Sequence, residues 1–231
     1  MNGGNLSLAF IFDLDGVLVH SMPLHMRAWE EYLAKLGITV DDLEERMHGK
    51  RNAELVEDFI GSGLPEDVVF GHGAAKEELW RMMLLQHGLE KYEIPGLIDF
   101  LERHRDVPKA VASNAEPQNI DFVLDRYNLR SYFPVAVNGL EVQRPKPFPD
   151  IYLEAARRLN VRPEDSLVFE DSPTGLDAGI AAGMRVVGVQ TSTAQLDGAA
   201  LLIQDFADPK LEDWLSGCRV GSLRRPPSGM G

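Results

Sequence analysis

Cysteine is almost missing from this chain of 231 residues: Cys218 stands alone, with no partner for an intrachain disulfide. No cysteine and histidine ligand cluster lies near it, which excludes a zinc site of that type and fits a reducing compartment. Long apolar runs are missing too, and no stretch approaches the length of a membrane span. The segment Met1-Asn2-Gly3-Gly4-Asn5 lacks the basic region of a signal peptide, and the apolar run after it is interrupted by Asp13. A cytoplasmic location is expected. Positive charge is in deficit, with 23 Lys and Arg against 36 Asp and Glu. The resulting net charge of −13 repels polyanions and argues against a nucleic-acid partner. A small anionic substrate remains compatible, because a local basic pocket overrides the global field. Internal repeats and long exposed apolar stripes are absent, and a monomer is expected. Apolar residues nevertheless make up 44% of the chain, ample for a folded core.

Strand-like apolar runs recur at 8–13, 108–113, 133–138, 166–170 and 185–189. Most of the later intervals read as helices, an alternation that predicts an α/β fold with a parallel, Rossmann-like sheet. The first interval differs, because 21–92 carries helical patterns and no convincing strand. Ser21 followed by Pro23 marks a helix start; Trp29, Leu33 and Leu36 share a face, and Gly37 ends it. Asn52 opens a second helix, closed by Gly61 and Gly63, and a longer one runs through Glu77, Trp80 and Leu84 to Gly88. The expected organisation is a core over 1–20 and 93–216, a helical cap over 21–92 and a mobile tail over 217–231. The tail reading rests on its Gly, Pro and Arg content. Inserted directly after the first strand, the cap stands where a lid would.

The chemistry is concentrated at the ends of the strand-like runs. Leu8-Ala-Phe-Ile-Phe-Asp13-Leu-Asp15-Gly16 ends a buried strand in two carboxylates spaced i, i+2 before a sharp turn. The carboxyl ends of strands in such sheets are where ligands bind. Lys109-Ala-Val-Ala-Ser113-Asn114 ends in a hydroxyl and an amide able to bond phosphate oxygens. Arg144-Pro-Lys146-Pro-Phe-Pro-Asp150 holds a lysine between stiffening prolines. Leu167-Val-Phe-Glu170-Asp171-Ser172-Pro-Thr-Gly175 supplies a second acidic pair. Taken singly, each reads equally as a helix cap, a surface lysine or a capped turn. Together they supply what phosphoryl transfer needs: Asp13 and the acidic pair for Mg²⁺, a free Asp15 carboxylate for proton transfer, and Ser113, Asn114 and Lys146 around the phosphate oxygens.

These four motifs, in this order and spacing, resemble the haloacid dehalogenase superfamily, in its phosphatase and β-phosphoglucomutase-like branch with a helical cap. The resemblance covers roughly residues 8–216. It implies that Asp13 attacks phosphorus to form an aspartyl-phosphate, and that Asp15 protonates the leaving oxygen and then deprotonates water. It also implies that Ser113 bonds the transferring group and that Lys146 neutralises it and orients Asp13. Mg²⁺ would sit on the Asp13 carboxylate, the Asp15 main-chain carbonyl and Asp171, with Glu170 ligating directly or through water. The superfamily's dehalogenases lack an acid at the position of Asp15, which makes dehalogenation improbable. His20-Ser21 departs from the pattern, since many relatives carry an acid before the hydroxyl residue.

Around this centre, His25 falls on the first cap helix and is expected to face back toward the site, as a substrate contact or a buried structural histidine. Lys50 and Arg51 either meet a second anionic group or form a solvated loop. Lys76 falls near the mutases' cap lysine, but Glu77 and Glu78 beside it predict an exposed position. Trp29, Trp80 and Trp214 are expected in the core. The leading expectation is a Mg²⁺-dependent phosphatase of a small phosphorylated metabolite, a sugar phosphate above all. The alternative is a β-phosphoglucomutase. A catalytically silent binding protein comes third, because every expected polar group is present.

Overall fold

The computed structural model describes residues 8–47 and 50–221. The chain enters through β1 (Ala9–Phe12) and then passes α1 (Met22–Lys35), α2 (Leu43–Met47), α3 (Asn52–Phe59) and α4 (Glu66–His87) before α5 (Leu97–Arg103). From there strands and helices alternate: β2 (Lys109–Ser113), α6 (Pro117–Arg126), β3 (Val135–Asn138), α7 (Asp150–Leu159), β4 (Ser166–Glu170), α8 (Pro173–Ala181) and β5 (Arg185–Val189). β6 (Leu201–Ile203) and α9 (Pro209–Gly221) complete the described chain. The strands form one parallel sheet in the order β3-β2-β1-β4-β5-β6. This is the expected Rossmann-like core, with helices between its strands.

Every residue of β1, β2 and β4 is buried, as parallel strands covered on both faces require. Phe12 lies in register with Phe169, and their rings stack at 4.6 Å between centroids. Phe100 and Phe206 pack onto the same pair. Each such buried ring contributes about 1.5–3 kcal/mol, so this aromatic cluster anchors β1 and β4 side by side. Lys109 opens β2 as a buried lysine. Its ammonium donates to the carbonyls of His104 and Val107 beyond the end of α5, capping that helix from a neighbouring strand.

α1 through α4 carry a hydrophobic cluster of their own, centred on Trp29, Leu33, Leu55, Val56 and Phe59. Leu24, Ala28, Trp80 and Leu84 join them to the core of the sheet. The two chain passages between cap and sheet run side by side: His20 N–H donates to the carbonyl of Tyr92 at 2.8 Å, and Val19 bridges to Glu93. No helix among the described residues is long and apolar enough to cross a membrane.

Two local expectations are corrected. β6 was not among the strand-like runs, because three residues at a sheet edge, with Leu202 exposed, leave too short a signal. α9 continues to Gly221, so residues 217–221 belong to a helix anchored by buried Leu211 and Leu215 rather than to a tail. The remainder of the expected tail, 222–231, lies outside the described residues.

Candidate active site

Because the strands are parallel, their carboxyl ends meet at one edge, and the four motifs meet there with them. Asp13 follows β1, and its N–H donates to the carbonyl of Phe169 on β4 at 3.0 Å. Ser113 closes β2 next door, buried, with its hydroxyl accepting from Ala115 N–H. Lys146, in the loop before α7, is buried and donates to both Asp13 Oδ1 and Glu170 Oε1 at 2.6 Å. One cation thus serves two acids. Donor oxygens of Asp13, Glu170 and Asp171 lie within 4.8 Å of one another.

Burial is the largest influence on Asp13, and with the charges of Glu170 and Asp15 it outweighs Lys146, raising the carboxyl to about 7. Burial likewise pushes Asp171 well above its ordinary value, with Glu170, Asp13 and Asp15 adding to it. Among the described residues its carboxylate accepts a single, long side-chain hydrogen bond, from Thr191 Oγ1 at 3.4 Å. Three buried carboxylates with one lysine between them form an all-oxygen set short of positive charge, which fits a hard divalent cation such as Mg²⁺.

Gly16 and Gly175 make this packing possible. Gly16 has φ +73°, and a Cβ there would lie 1.9 Å from Asp171 Oδ2. Thr191 Oγ1 donates to the Gly16 carbonyl at 2.7 Å, holding the turn against Asp171. A Cβ on Gly175 would lie 1.7 Å from Glu170 Oε1.

Asp15, partly exposed, points the other way, toward the cap. Ser21, which starts α1, makes no cap bond to its own helix; its hydroxyl donates to Asp15 Oδ1 at 2.5 Å. The buried Nδ1 of His20 has no hydrogen-bond partner among the described residues. His25 Nε2 lies 3.2 Å from the same Asp15 oxygen, with its ring stacked on Trp80 at 4.6 Å. Burial works against the Asp15 carboxylate, but His25 and the bonds from His25 and Ser21 outweigh it and hold the carboxyl below its ordinary value.

Lys76 corrects an expectation. It is 2% exposed, not a surface residue, because α4 packs against α1 and α3 and touches α6, leaving that face no water. Its ammonium donates to Glu77 Oε1 at 2.7 Å and to His25 Nδ1 at 2.9 Å. Glu77 in turn accepts from Asn52 on α3 and Asn119 on α6, both at 2.7 Å. Burial would raise the Glu77 carboxyl; Lys76, His25 and these hydrogen bonds overcome it and bring it to about 2.

A group so depressed stabilises the fold above its ordinary value of 4.5, and that contribution is lost as pH falls toward 2. Glu77→Gln is expected to cost about 3 kcal/mol at neutral pH by leaving Lys76 buried without its anion. It is also expected to flatten the acid limb of stability. Urea denaturation from neutral pH downward checks both; an unchanged acid limb would contradict the assignment.

The other expected residues fall less directly on the site. Asn114 turns its amide to the main chain of Lys146, accepting from the N–H at 3.2 Å and approaching the carbonyl at 3.5 Å. Arg51 is exposed and lies 3.6 Å from Glu54, and Lys50 pairs with Asp58 at 2.8 Å. Two important side chains were not singled out from the sequence. Tyr152 is fully buried on α7, donates to Glu170 Oε1 at 2.8 Å and presents its ring 4.8 Å from the Lys146 ammonium. Its only signal is a lone tyrosine on the apolar face shared with Ile151, Ala155 and Ala156. Glu77 carried a misleading signal, because a charge beside Lys76 reads as solvation.

The family model for haloacid dehalogenase-like hydrolases matches residues 8–183. The chain belongs to the haloacid dehalogenase-like hydrolases. This hydrolase is 33% identical over 184 residues to the fructose-1-phosphate phosphatase YqaB of Escherichia coli, covering 78% of this chain and 95% of that protein. It is 30% identical over 211 residues to a β-phosphoglucomutase of Bacillus subtilis, covering 88% and 92%. Among solved structures it resembles a CbbY variant of Rhodobacter sphaeroides in complex with xylulose-(1,5)bisphosphate. That match has a TM-score of 0.76 at 28% identity and covers 87% of this chain and 95% of that one. Family membership, fold and standing as an enzyme are as the motifs imply.

Proposed function

We propose that this hydrolase is a Mg²⁺-dependent phosphatase of small phosphorylated metabolites, sugar phosphates above all, working through an aspartyl-phosphate on Asp13. The observation that carries the reading is the division of labour between two neighbouring acids. Lys146 grips Asp13 from the sheet side, and Ser21 and His25 grip Asp15 from the cap side. One carboxylate is thereby aimed as a nucleophile and the other kept for protons.

In the first half-reaction an Asp13 oxygen attacks phosphorus and the ester oxygen leaves, taking a proton from Asp15. The incoming phosphate dianion favours that proton, because negative charge beside Asp15 raises its affinity. In the second half, water attacks the phosphorus, gives its proton to Asp15 and releases inorganic phosphate, and the Asp13 carboxylate is restored. Lys146 and Ser113 bear on the phosphoryl oxygens. A Mg²⁺ ion held by Asp13, Asp171, Glu170 and the Asp15 main-chain carbonyl would offset repulsion between nucleophile and substrate.

Inorganic phosphate release with Mg²⁺ across a panel of phosphorylated sugars, in parallel with glucose 6-phosphate formation from β-glucose 1-phosphate, tests the reading. Release that disappears with EDTA is expected. Isomerisation without release would support the mutase instead, the reading favoured by the Bacillus subtilis relative and by the buried Lys76–His25 pair in the cap.

A further inference from the structure

The leaving group of a substrate whose phosphorus sits at Asp13 must lie beyond Asp15, in the space between cap and sheet. At that junction the cap contributes His25 and Asn52, with Lys76 and Glu77 bonded behind them, and the sheet side contributes Glu116 and Asn119, which Asn52 and Glu77 meet directly. Glu116 follows the Ser113-Asn114-Ala115 turn and precedes α6, and Asn52 Nδ2 reaches it across the junction at 3.2 Å. The same amide is shared with Glu77 at 2.7 Å. Gly73 lets α4 come close here, since a Cβ would lie 3.3 Å from Asn52 and 3.7 Å from Glu116.

Among the described residues, the cations near this junction are engaged. Lys76 is closed in by Glu77, His25 and, at 3.5 Å, Asn52. Arg81 donates to Asn119 Oδ1 at 2.6 Å. Arg51 and Lys50 pair outward with Glu54 and Asp58. A second phosphate would have to break one of these pairs and stand beside Glu116 and Glu77. Burial, then the Glu77 charge, already raises the Glu116 carboxyl against the pull of Asn52, Lys76 and Arg81, so the junction resists even its own negative charge.

We infer that the junction selects phosphate monoesters whose remaining part is uncharged and hydroxylated, and that Glu116 is the residue that turns away a second phosphate. A carboxylate and an amide offer good partners to hydroxyl groups and a poor one to a dianion. The inference deepens the phosphatase reading and rests on it for the direction in which the substrate lies.

Binding and turnover separate the two. Asp13→Asn protein with Mg²⁺ is titrated calorimetrically with fructose 1-phosphate and with fructose 1,6-bisphosphate, and wild-type kcat/KM is measured for the same pair. The monophosphate is expected to be preferred by at least about tenfold in both measurements. Glu116→Lys is expected to narrow that ratio about tenfold, with Glu116→Gln between the two. Equal or tighter binding of the bisphosphate, or no measurable binding of either sugar, would overturn the inference. Monophosphate preference in binding with no phosphate release by the wild type would uphold the inference and overturn the phosphatase reading.

Discussion

Asp13→Asn is expected to lower phosphate release by at least about 10⁴-fold, because an amide at this position cannot form the acyl-phosphate bond. The same substitution is expected to leave the folded protein as stable as its parent, or more so, in the absence of metal. The folded state holds the Asp13 proton up to about 7, against an ordinary value of 3.8. That contribution to stability is present below 3.8 and is lost as pH rises through about 7. The metal-free wild type should therefore lose stability over that range, and Asp13→Asn should lose less. Steady-state phosphate release and urea denaturation in EDTA at pH 6 and pH 8 read the two effects separately. Loss of activity together with loss of stability at pH 8 would point to a structural role instead.

Gly16→Ala is expected to damage the site without replacing an ionisable group. The left-handed backbone at this turn disfavours any Cβ, and the new methyl group would fall on the Asp171 carboxylate at 1.9 Å. Asp171 must move or the turn must open, and both carry the acidic cluster out of register. A cost of about 2–4 kcal/mol in folding stability is expected. Affinity for Mg²⁺ is expected to fall by about 10–100-fold, as for other changes that disturb a ligand's setting. Calorimetric metal titration of the folded variant checks this. Undiminished affinity would mean that Asp171 is not held by the turn after β1.

What could be read from the sequence is what the chain encodes locally. Phe12-Asp13-Leu-Asp15-Gly16 announces a buried strand, its end and its turn within five consecutive positions. Ser113, Lys146 and Glu170-Asp171 likewise sit at the ends of strands or in a proline-stiffened loop, where the local pattern implies exposure to a common edge. The parallel sheet then brings them together without further information. What escaped the sequence depends on contacts between elements far apart in the chain. Lys76 looks like a solvated lysine on an amphipathic helix, and becomes buried only because α1, α3 and α6 close around α4. Tyr152 reaches Glu170 from a different helix, and nothing near it in sequence marks the hydroxyl as needed. Asn114 has the right chemistry for phosphate, but its amide goes to the main chain of Lys146. β6 is too short to carry a period, and α9 runs through Gly217 because Leu211 and Leu215 pin it to the core.

The network from Asp15 through His25, Lys76 and Glu77 to Asn119 ties the Asp15 carboxylate to both cap and sheet. Movement of the cap away from the sheet would break the contacts of Ser21 or His25 with Asp15 or those of Asn119 with Glu77. On the proposed mechanism, opening of the cap would release the acid that handles protons.

The most direct measurement concerns the covalent step. With p-nitrophenyl phosphate the leaving group needs no proton, so Asp15→Asn protein should still transfer phosphate to Asp13 but should be slow to hydrolyse the adduct. The expected result is a burst of nitrophenol stoichiometric with enzyme, with a phosphoryl group found by mass spectrometry of acid-quenched protein on the peptide containing Asp13. Steady release of inorganic phosphate with no adduct, or an adduct on a different residue, would contradict the account.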